Sequence, residues 1–191
     1  MDLNKLSQEA FETTKAHGWH DEEQPDETYL MLIITEIAEA VQADRKDKHA
    51  DVAKFKEYQT YYGTFLPSEE IRTIRFREDF EAYIKNSVED ELSDVVIRCL
   101  DLAGLRGIDL TEVNELLSNG MKDINETFPE VMYYLCSFIS SEEQILDDKL
   151  NYCMALIIGY CKQKDIDIEF FIEQKMKYNR LREYKHGNKK Y

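Results

Sequence analysis

Two pairs of carboxylates with the same spacing are the residues most able to do chemistry. Glu36 and Glu39 stand three residues apart in the apolar stretch ITEIAEAV. Glu91 and Asp94 repeat this spacing in SVEDELSDVVIRCLDLAG. On a helix that turns about 100° per residue, both members of a pair project from one side, at or beside the apolar stripe. Helices pack through such stripes, so we expect the four carboxylates to meet.

Carboxylates that meet in a poorly hydrated space need a neutralising partner. Each buried charge costs several kcal/mol unless it is protonated, paired or bound to a cation. Arg98 can pair with one of the four, but these two stretches hold too few basic residues for all of them. An all-oxygen ligand set suits Mg²⁺, or Mn²⁺, better than zinc. The sequence therefore predicts metal-binding and catalytic roles for Glu36, Glu39, Glu91 and Asp94.

Two other interpretations of the acidic pairs stay open. E-x-x-E and E-x-x-D are common spacings on solvated helix faces, and only their joint occurrence beside apolar stripes favours a site. A di-iron bundle would need two E-x-x-H motifs among four helices. The sequence offers one such motif, from Glu183 to His186 in a Lys-rich tail, which weakens that interpretation.

The bulk composition favours one helical domain and excludes two classes of partner. The chain has 191 residues, enough for one sizeable core, and its 7 glycines and 3 prolines are too few for a sheet-and-turn architecture. A formal charge of −15 argues against non-specific binding to nucleic acid or to anionic lipid. No run approaches the roughly 20 apolar residues of a membrane span, and no leader pattern opens the chain. We therefore expect a cytoplasmic protein.

The cysteines fit a reducing compartment. They lie in apolar helical stretches without a C-x-x-C pair, which predicts buried thiols rather than zinc ligands or disulfides. The four positions are Cys99, Cys136, Cys153 and Cys161.

Hydrophobic periodicity predicts an all-α fold. The periodic stretches lie near 3–17, 28–47, 87–106, 110–126, 129–140, 143–164 and 168–182. Ser87 is expected to cap the helix that carries Glu91, and Asp26 the helix that carries Glu36. Residues 48–86 are less regular because Gly63 and Pro67 interrupt two aromatic-rich pieces, so we expect a loop-like excursion that covers the site.

Three blocks of the sequence resemble the MazG-like all-α nucleoside triphosphate pyrophosphohydrolases. They are TEIAEAVQADR, IKNSVEDELSDVVIRCLDLAGLRGIDL and IEQKMKYNRLREYKHGNKKY, and the match covers most of residues 17–110 and 166–191. The family is marked by E-x-x-E on one helix, E-x-x-D on the next, and a Lys and an Asn on a later helix. Lys175 and Asn179 stand at the last two positions.

The resemblance implies an activity, a cofactor and an assembly. The implied reaction is Mg²⁺-dependent hydrolysis of a nucleoside triphosphate between the α and β phosphates, giving monophosphate and pyrophosphate, as in nucleotide-pool house-cleaning. Lys175 would then stabilise phosphate charge and Asn179 would hydrogen-bond phosphate or sugar, with Arg182, Lys185 and Lys189 as further substrate-binding candidates. A homodimer or homotetramer is also implied. The acidic motifs do not encode a base or sugar preference.

Aromatic residues before the first acidic helix are candidates for holding the base. Trp19 could stack on it, and its alternative role is core filler. His20 could read the base, and its alternative role is structural.

The sequence departs from the family pattern in two places. Thr35 stands where relatives often carry a further glutamate. About 58 residues separate the G-I-D-L turn from the Lys/Asn block, which leaves Leu117 and Met121 where Lys and Asn would otherwise follow. We therefore hypothesise that a C-terminal half, 111–191, folds back onto the carboxylate-bearing half, 1–110, to complete the site. A weak similarity of 92–110 to 150–168 is either a degenerate pseudo-repeat or coincident helix patterning.

Two rival functions stay open, and the departures support the first of them. The chain could be a catalytically silent protein that binds nucleotide or serves as a helical scaffold. It could also be an oligomerisation module whose acidic stripes meet basic faces of a partner.

Overall fold

Helices make up the regular structure of this chain. The computed structural model describes residues 1–66, 68–118 and 124–186. Within these ranges it holds nine α-helices, one short 3₁₀ helix and no strand, so the all-α prediction is confirmed. None of the described helices combines the length and the hydropathy that crossing a membrane requires.

The helices correspond in large part to the predicted periodic stretches. Of the stretch predicted at 110–126, the structure describes a helix to residue 118, and residues 119–123, including Met121, lie outside the described ranges. In chain order the helices are α1 (Leu3–Ala16), α2 (Asp26–Asp44), α3 (Val52–Phe65), α4 (Glu69–Tyr83), α5 (Val88–Arg106), α6 (Thr111–Ser118), α7 (Phe128–Ile139), α8 (Leu146–Gln163) and α9 (Ile168–Arg180), followed by the 3₁₀ turn Tyr184–His186.

The segment 48–86 is not a loop-like excursion, and that prediction was wrong. It forms α3 and α4, whose buried rings Phe55 and Phe76 meet edge to face with centroids 6.0 Å apart. Phe55 also contacts Phe170 of α9. Gly63 does not break α3, because one glycine costs a helix about 1 kcal/mol and burying a phenylalanine gains more. Pro67 lies outside the described residues.

The starts of the two acidic helices were predicted with mixed success. Ser87 caps α5 as expected, since its side chain accepts a hydrogen bond from the Asp90 backbone N–H at 3.2 Å. Asp26 does not cap α2. The residue before the helix is Pro25, and the Asp26 carboxylate instead accepts a hydrogen bond from Arg106 Nε at 2.8 Å. Arg106, at the end of α5, thus binds the carboxylate that was expected to accept a hydrogen bond from the backbone of α2.

Helix α5 lies at the centre of the fold. It contacts α1, α2, α8 and α9, and most of its side chains are buried. Cys99 on α5 and Cys153 on α8 lie with their sulfurs 3.6 Å apart, and all four cysteines are free thiols, with Cys136 only partly buried. Helix α7 packs on α2, and α6 on α8. Helices α6, α7 and α8, which lie in the insertion, therefore do not occupy the side of α5 on which α9 packs. Helix α9 comes from the far end of the chain.

Two helical glycines should respond in opposite ways to alanine. A Cβ at Gly104 of α5 would lie 2.7 Å from both the Phe11 Cβ and the Ser7 carbonyl oxygen of α1, whereas one at Gly63 would meet nothing within 4 Å. We expect Gly63→Ala to stabilise the protein by about 0.5 to 1 kcal/mol, as helix propensity predicts. Gly104→Ala should destabilise it by about 1 to 3 kcal/mol because α1 must move. Urea unfolding measures both, and stabilisation by Gly104→Ala would contradict the close packing of α1 on α5.

Candidate active site

A cavity of about 330 Å³ is lined by side chains of α1, α2, α5 and α9 and by the turn before α5. It brings together residues from all three blocks of the sequence, including the block that follows the insertion. The predicted site residues that line it are Trp19, Glu36, Glu39, Glu91, Asp94, Lys175, Asn179 and Arg182. The far end of the chain thus reaches the carboxylate helices.

Three of the four predicted carboxylates form a close group, which we call the acidic cluster: Glu36, Glu91 and Asp94. One carboxylate oxygen from each lies within 4.8 Å of those of the other two. Glu91 is 4% exposed and Glu36 is 9% exposed. Glu39 lines the same cavity but is exposed, lies outside the cluster, and has no hydrogen bond or ion pair with the described residues. Oxygens at this separation can hold one divalent cation.

Burial puts the acidic cluster under electrostatic strain. It raises the pKa of Glu91 to about 8, with further repulsion from Asp94 and Asp90. Burial also raises the pKa of Glu36, as does Asp94, and Arg98 opposes this effect through its Nε, 3.0 Å from Glu36 Oε1. Arg98 is therefore the single-carboxylate partner that the sequence predicted. A divalent cation would displace the remaining protons and relieve the strain.

Lys175 is bound to carboxylates and buried. Its Nζ lies 2.9 Å from each carboxylate oxygen of Asp90 and 2.6 Å from Asp94 Oδ2, and the residue is 5% exposed. Burial alone would lower the pKa of Lys175, but Asp94 and Asp90 raise it above its ordinary value. The single positive charge of the ammonium is therefore shared by two carboxylates that the protein itself supplies.

Asp90 was missed as a site residue because its position also fits a helix start. It is fully buried, and besides Lys175 its carboxylate accepts a hydrogen bond from the Asn86 backbone N–H at 2.8 Å. Burial raises the pKa of Asp90 to about 6, although Lys175 opposes the rise. Nothing in the local sequence distinguishes it from an ordinary first-turn carboxylate.

The remaining substrate-binding candidates divide into two groups. Asn179 and Arg182 line the cavity, and Asn179 Oδ1 is buried without a hydrogen-bond partner among the described residues. Trp19 is half-buried and borders both the cavity and a small adjoining pocket. His20 lines only the small pocket, where its Nε2 lies 2.8 Å from Asp101 Oδ1. Lys185 lies outside both.

The tail after α9 is attached to the start of the α1–α2 connection. Lys185 donates its backbone N–H to the His17 carbonyl, and its Nζ lies 4.0 Å from Asp21. His17 Nε2 lies 3.0 Å from the Arg182 carbonyl oxygen. These contacts fix the backbone from which Arg182 enters the cavity. Lys189 lies outside the described residues.

Sequence reasoning also missed part of the cavity wall. Lys85 and Asn86 line it from the turn before α5, Thr13 and Thr14 from α1, and His17 from the start of the α1–α2 connection. No motif marks these residues. Lys85 and Asn86 directly precede Ser87, so the capping signal of α5 was the one local hint that they lie near the acidic helix.

The raised pKa of Glu91 leads to a prediction about stability and pH in metal-free protein. Between its ordinary value of about 4.5 and the folded value of about 8, the unfolded state releases the proton that the folded state retains. Stability from this group is thus present at low pH and is lost as pH rises towards 8. Glu91→Gln cannot ionise, so its stability relative to wild type should increase between pH 5.5 and 8, by up to about 1.4 kcal/mol per pH unit. Urea unfolding in EDTA measures this, and a difference that does not change with pH would contradict it.

Comparisons of the chain with protein-family models, with curated proteins and with solved structures find no match. A functional assignment therefore depends on the chemistry of the cavity. The cavity has an acidic cluster on one wall, basic side chains from the turn before α5 and from the end of the chain, and an indole at its border.

Proposed function

We propose that this protein is a Mg²⁺-dependent nucleoside triphosphate pyrophosphohydrolase of the MazG-like kind. It would cleave a ribo- or deoxyribonucleoside triphosphate between the α and β phosphates, a reaction suited to nucleotide-pool house-cleaning. The observation that carries the proposal is that the E-x-x-E, E-x-x-D and Lys/Asn blocks line one cavity, although 80 residues lie between Asp94 and Lys175 in the sequence.

The residues present fit the proposed metal. The acidic cluster offers only oxygen ligands, which hard divalent cations prefer, and a bound cation would offset the burial and repulsion that raise the pKa of Glu91 and Glu36. Glu36, Glu91 and Asp94 would hold the ion, and Glu39 could add a ligand from the same wall. When bound, Mg²⁺ would neutralise charge on the triphosphate and on the leaving pyrophosphate.

Glu39 is the best placed carboxylate to activate water. Glu36 is paired with Arg98 and Asp94 with Lys175, whereas Glu39 lines the cavity without such a partner among the described residues. We propose that Glu39 orients the attacking water and accepts its proton. The water oxygen then forms a bond to phosphorus, and the bridging bond between the α and β phosphates breaks. Trp19, at the border of the cavity, would stack on the base.

The test is product analysis with a panel of nucleoside triphosphates, with and without Mg²⁺. We expect equimolar monophosphate and pyrophosphate from at least one nucleotide, only when Mg²⁺ is present. Release of orthophosphate instead would mean that a different bond is cut, which contradicts the proposal. The nucleotide that turns over fastest would identify the base and sugar preference.

The silent nucleotide-binding protein is a second candidate, and one contact favours it. Lys175 already supplies a cation to Asp94, so part of the acidic wall is neutral without metal. The same panel separates the two candidates when it is combined with a thermal-shift measurement. A nucleotide that raises the unfolding temperature but is not cleaved would support the silent protein.

A further inference from the structure

The basic side chains that line the cavity are not equivalent. Arg98 and Lys175 are bonded to carboxylates of the acidic cluster. Lys85 and Arg182 also line the cavity, but neither has a carboxylate oxygen within 4.0 Å among the described residues. These two cations share one cavity although the chain as a whole carries a formal charge of −15. They are the side chains that remain for an anionic ligand.

Tyr178 holds these two cations near each other. Its ring is 3% exposed and stacks on Phe80 with centroids 4.5 Å apart, so it is a rigid support. Lys85 Nζ lies 5.5 Å from the ring centroid and Arg182 Cζ lies 5.9 Å from it. Both cations therefore lie close to the same ring, which stabilises their charge without neutralising it.

The Tyr178 hydroxyl also orients Lys85. It accepts a hydrogen bond from Lys85 Nζ at 3.2 Å and donates one to Glu81 Oε1 at 2.7 Å. An ammonium group has three donors, so Lys85 keeps two for a ligand. Arg182 is fixed through its backbone, whose carbonyl lies 3.0 Å from His17 Nε2. Two positively charged hydrogen-bond donors that line one cavity form a suitable receptor for phosphate oxygens.

We propose that Lys85 and Arg182 receive the polyphosphate chain of the substrate, and that Lys175 positions Asp94 instead of binding phosphate. This assignment rests on the proposed function for the identity of the substrate. It differs from the role that the family resemblance implies for Lys175, because that ammonium is already bonded to Asp90 and Asp94. It also adds Lys85, a residue outside the three motifs.

The test is calorimetric binding of inorganic pyrophosphate in the presence of Mg²⁺. We expect Lys85→Ala to weaken pyrophosphate binding at least tenfold and Lys85→Arg to keep most of the affinity. Lys162→Ala is the matched control, since it removes an exposed lysine of α8 that has no part in the cavity, and its affinity should equal that of wild type. Mg²⁺ binding measured without pyrophosphate should be unchanged in Lys85→Ala, which shows that the acidic cluster is intact.

Equal pyrophosphate affinities of Lys85→Ala and Lys162→Ala would overturn the assignment, as would a wild-type protein that does not bind pyrophosphate. The outcome is separable from that of the hydrolysis assay. Lys85-dependent pyrophosphate binding without cleavage of any nucleotide would leave the receptor standing while the proposed hydrolysis fails. Nucleotide cleavage with an unchanged KM in Lys85→Ala would contradict the assignment of Lys85 as a phosphate-binding residue, and it would support the proposed hydrolysis.

Discussion

Glu91→Gln is expected to lower the rate of Mg²⁺-dependent pyrophosphate release by on the order of a hundredfold or more. The substitution keeps the size of the side chain and removes the charge at the most buried position of the acidic cluster. If the proposed mechanism holds, loss of one ligand charge would weaken metal binding and remove stabilisation of the charge that develops on the leaving group. Steady-state kinetics with the nucleotide that wild type cleaves fastest measures the effect.

A matched variant and a stability measurement make this result specific. Glu173→Gln removes an exposed carboxylate of α9 that does not line the cavity, and it should retain wild-type turnover. Since Glu91→Gln should be at least as stable as wild type at pH 8 without metal, loss of activity cannot come from unfolding. Turnover by Glu91→Gln within about threefold of wild type would contradict the role of the acidic cluster.

Lys175→Met is expected to destabilise the metal-free protein by about 3 to 5 kcal/mol. Methionine preserves the unbranched shape, but it leaves the fully buried Asp90 without its cation. Breaking a buried ion pair from one side is costly because the remaining charge cannot reach water. Turnover should also fall sharply, since Asp94 loses the group that positions it. Chemical denaturation and steady-state kinetics measure the two effects.

A double mutant separates the loss of the pair from the loss of packing. Asp90→Asn in the Lys175→Met background removes the stranded charge, so most of the lost stability should return. The expected coupling between the two positions is at least about 1 kcal/mol. A double mutant whose stability equals the sum of the two single effects would show that Lys175 and Asp90 do not interact as the structure indicates.

Local patterns in the sequence predicted the helices that carry the acidic pairs. The apolar spacing on α5 and the cap at Ser87 are short-range signals, and both appear in the structure. The same reasoning failed for α3 and α4. Their buried apolar positions are aromatic rings that pack on each other and on α9, and Gly63 resembled a helix breaker.

Long-range pairs could not be predicted from the sequence. Asp90 resembles a first-turn carboxylate, and its burial depends on Lys175, which lies 85 residues later. Lys85 has no motif, and it enters the cavity because it contacts Tyr178 on α9. Both cases require knowing that α9 packs on α5. The sequence supported that arrangement only as a hypothesis, because the insertion could have placed the Lys/Asn block elsewhere.

The most direct test of the acidic cluster is a titration of the protein with Mn²⁺ in place of Mg²⁺. Electron paramagnetic resonance measures the free Mn²⁺ that remains. We expect wild-type protein to deplete the free Mn²⁺ signal with saturation, Mg²⁺ to compete, and Glu91→Gln to bind at least tenfold more weakly, while Glu173→Gln binds as wild type does. If wild type and Glu91→Gln bind Mn²⁺ equally, or if neither binds it, the convergence of α2 and α5 does not form a metal site and the proposed hydrolysis loses its basis.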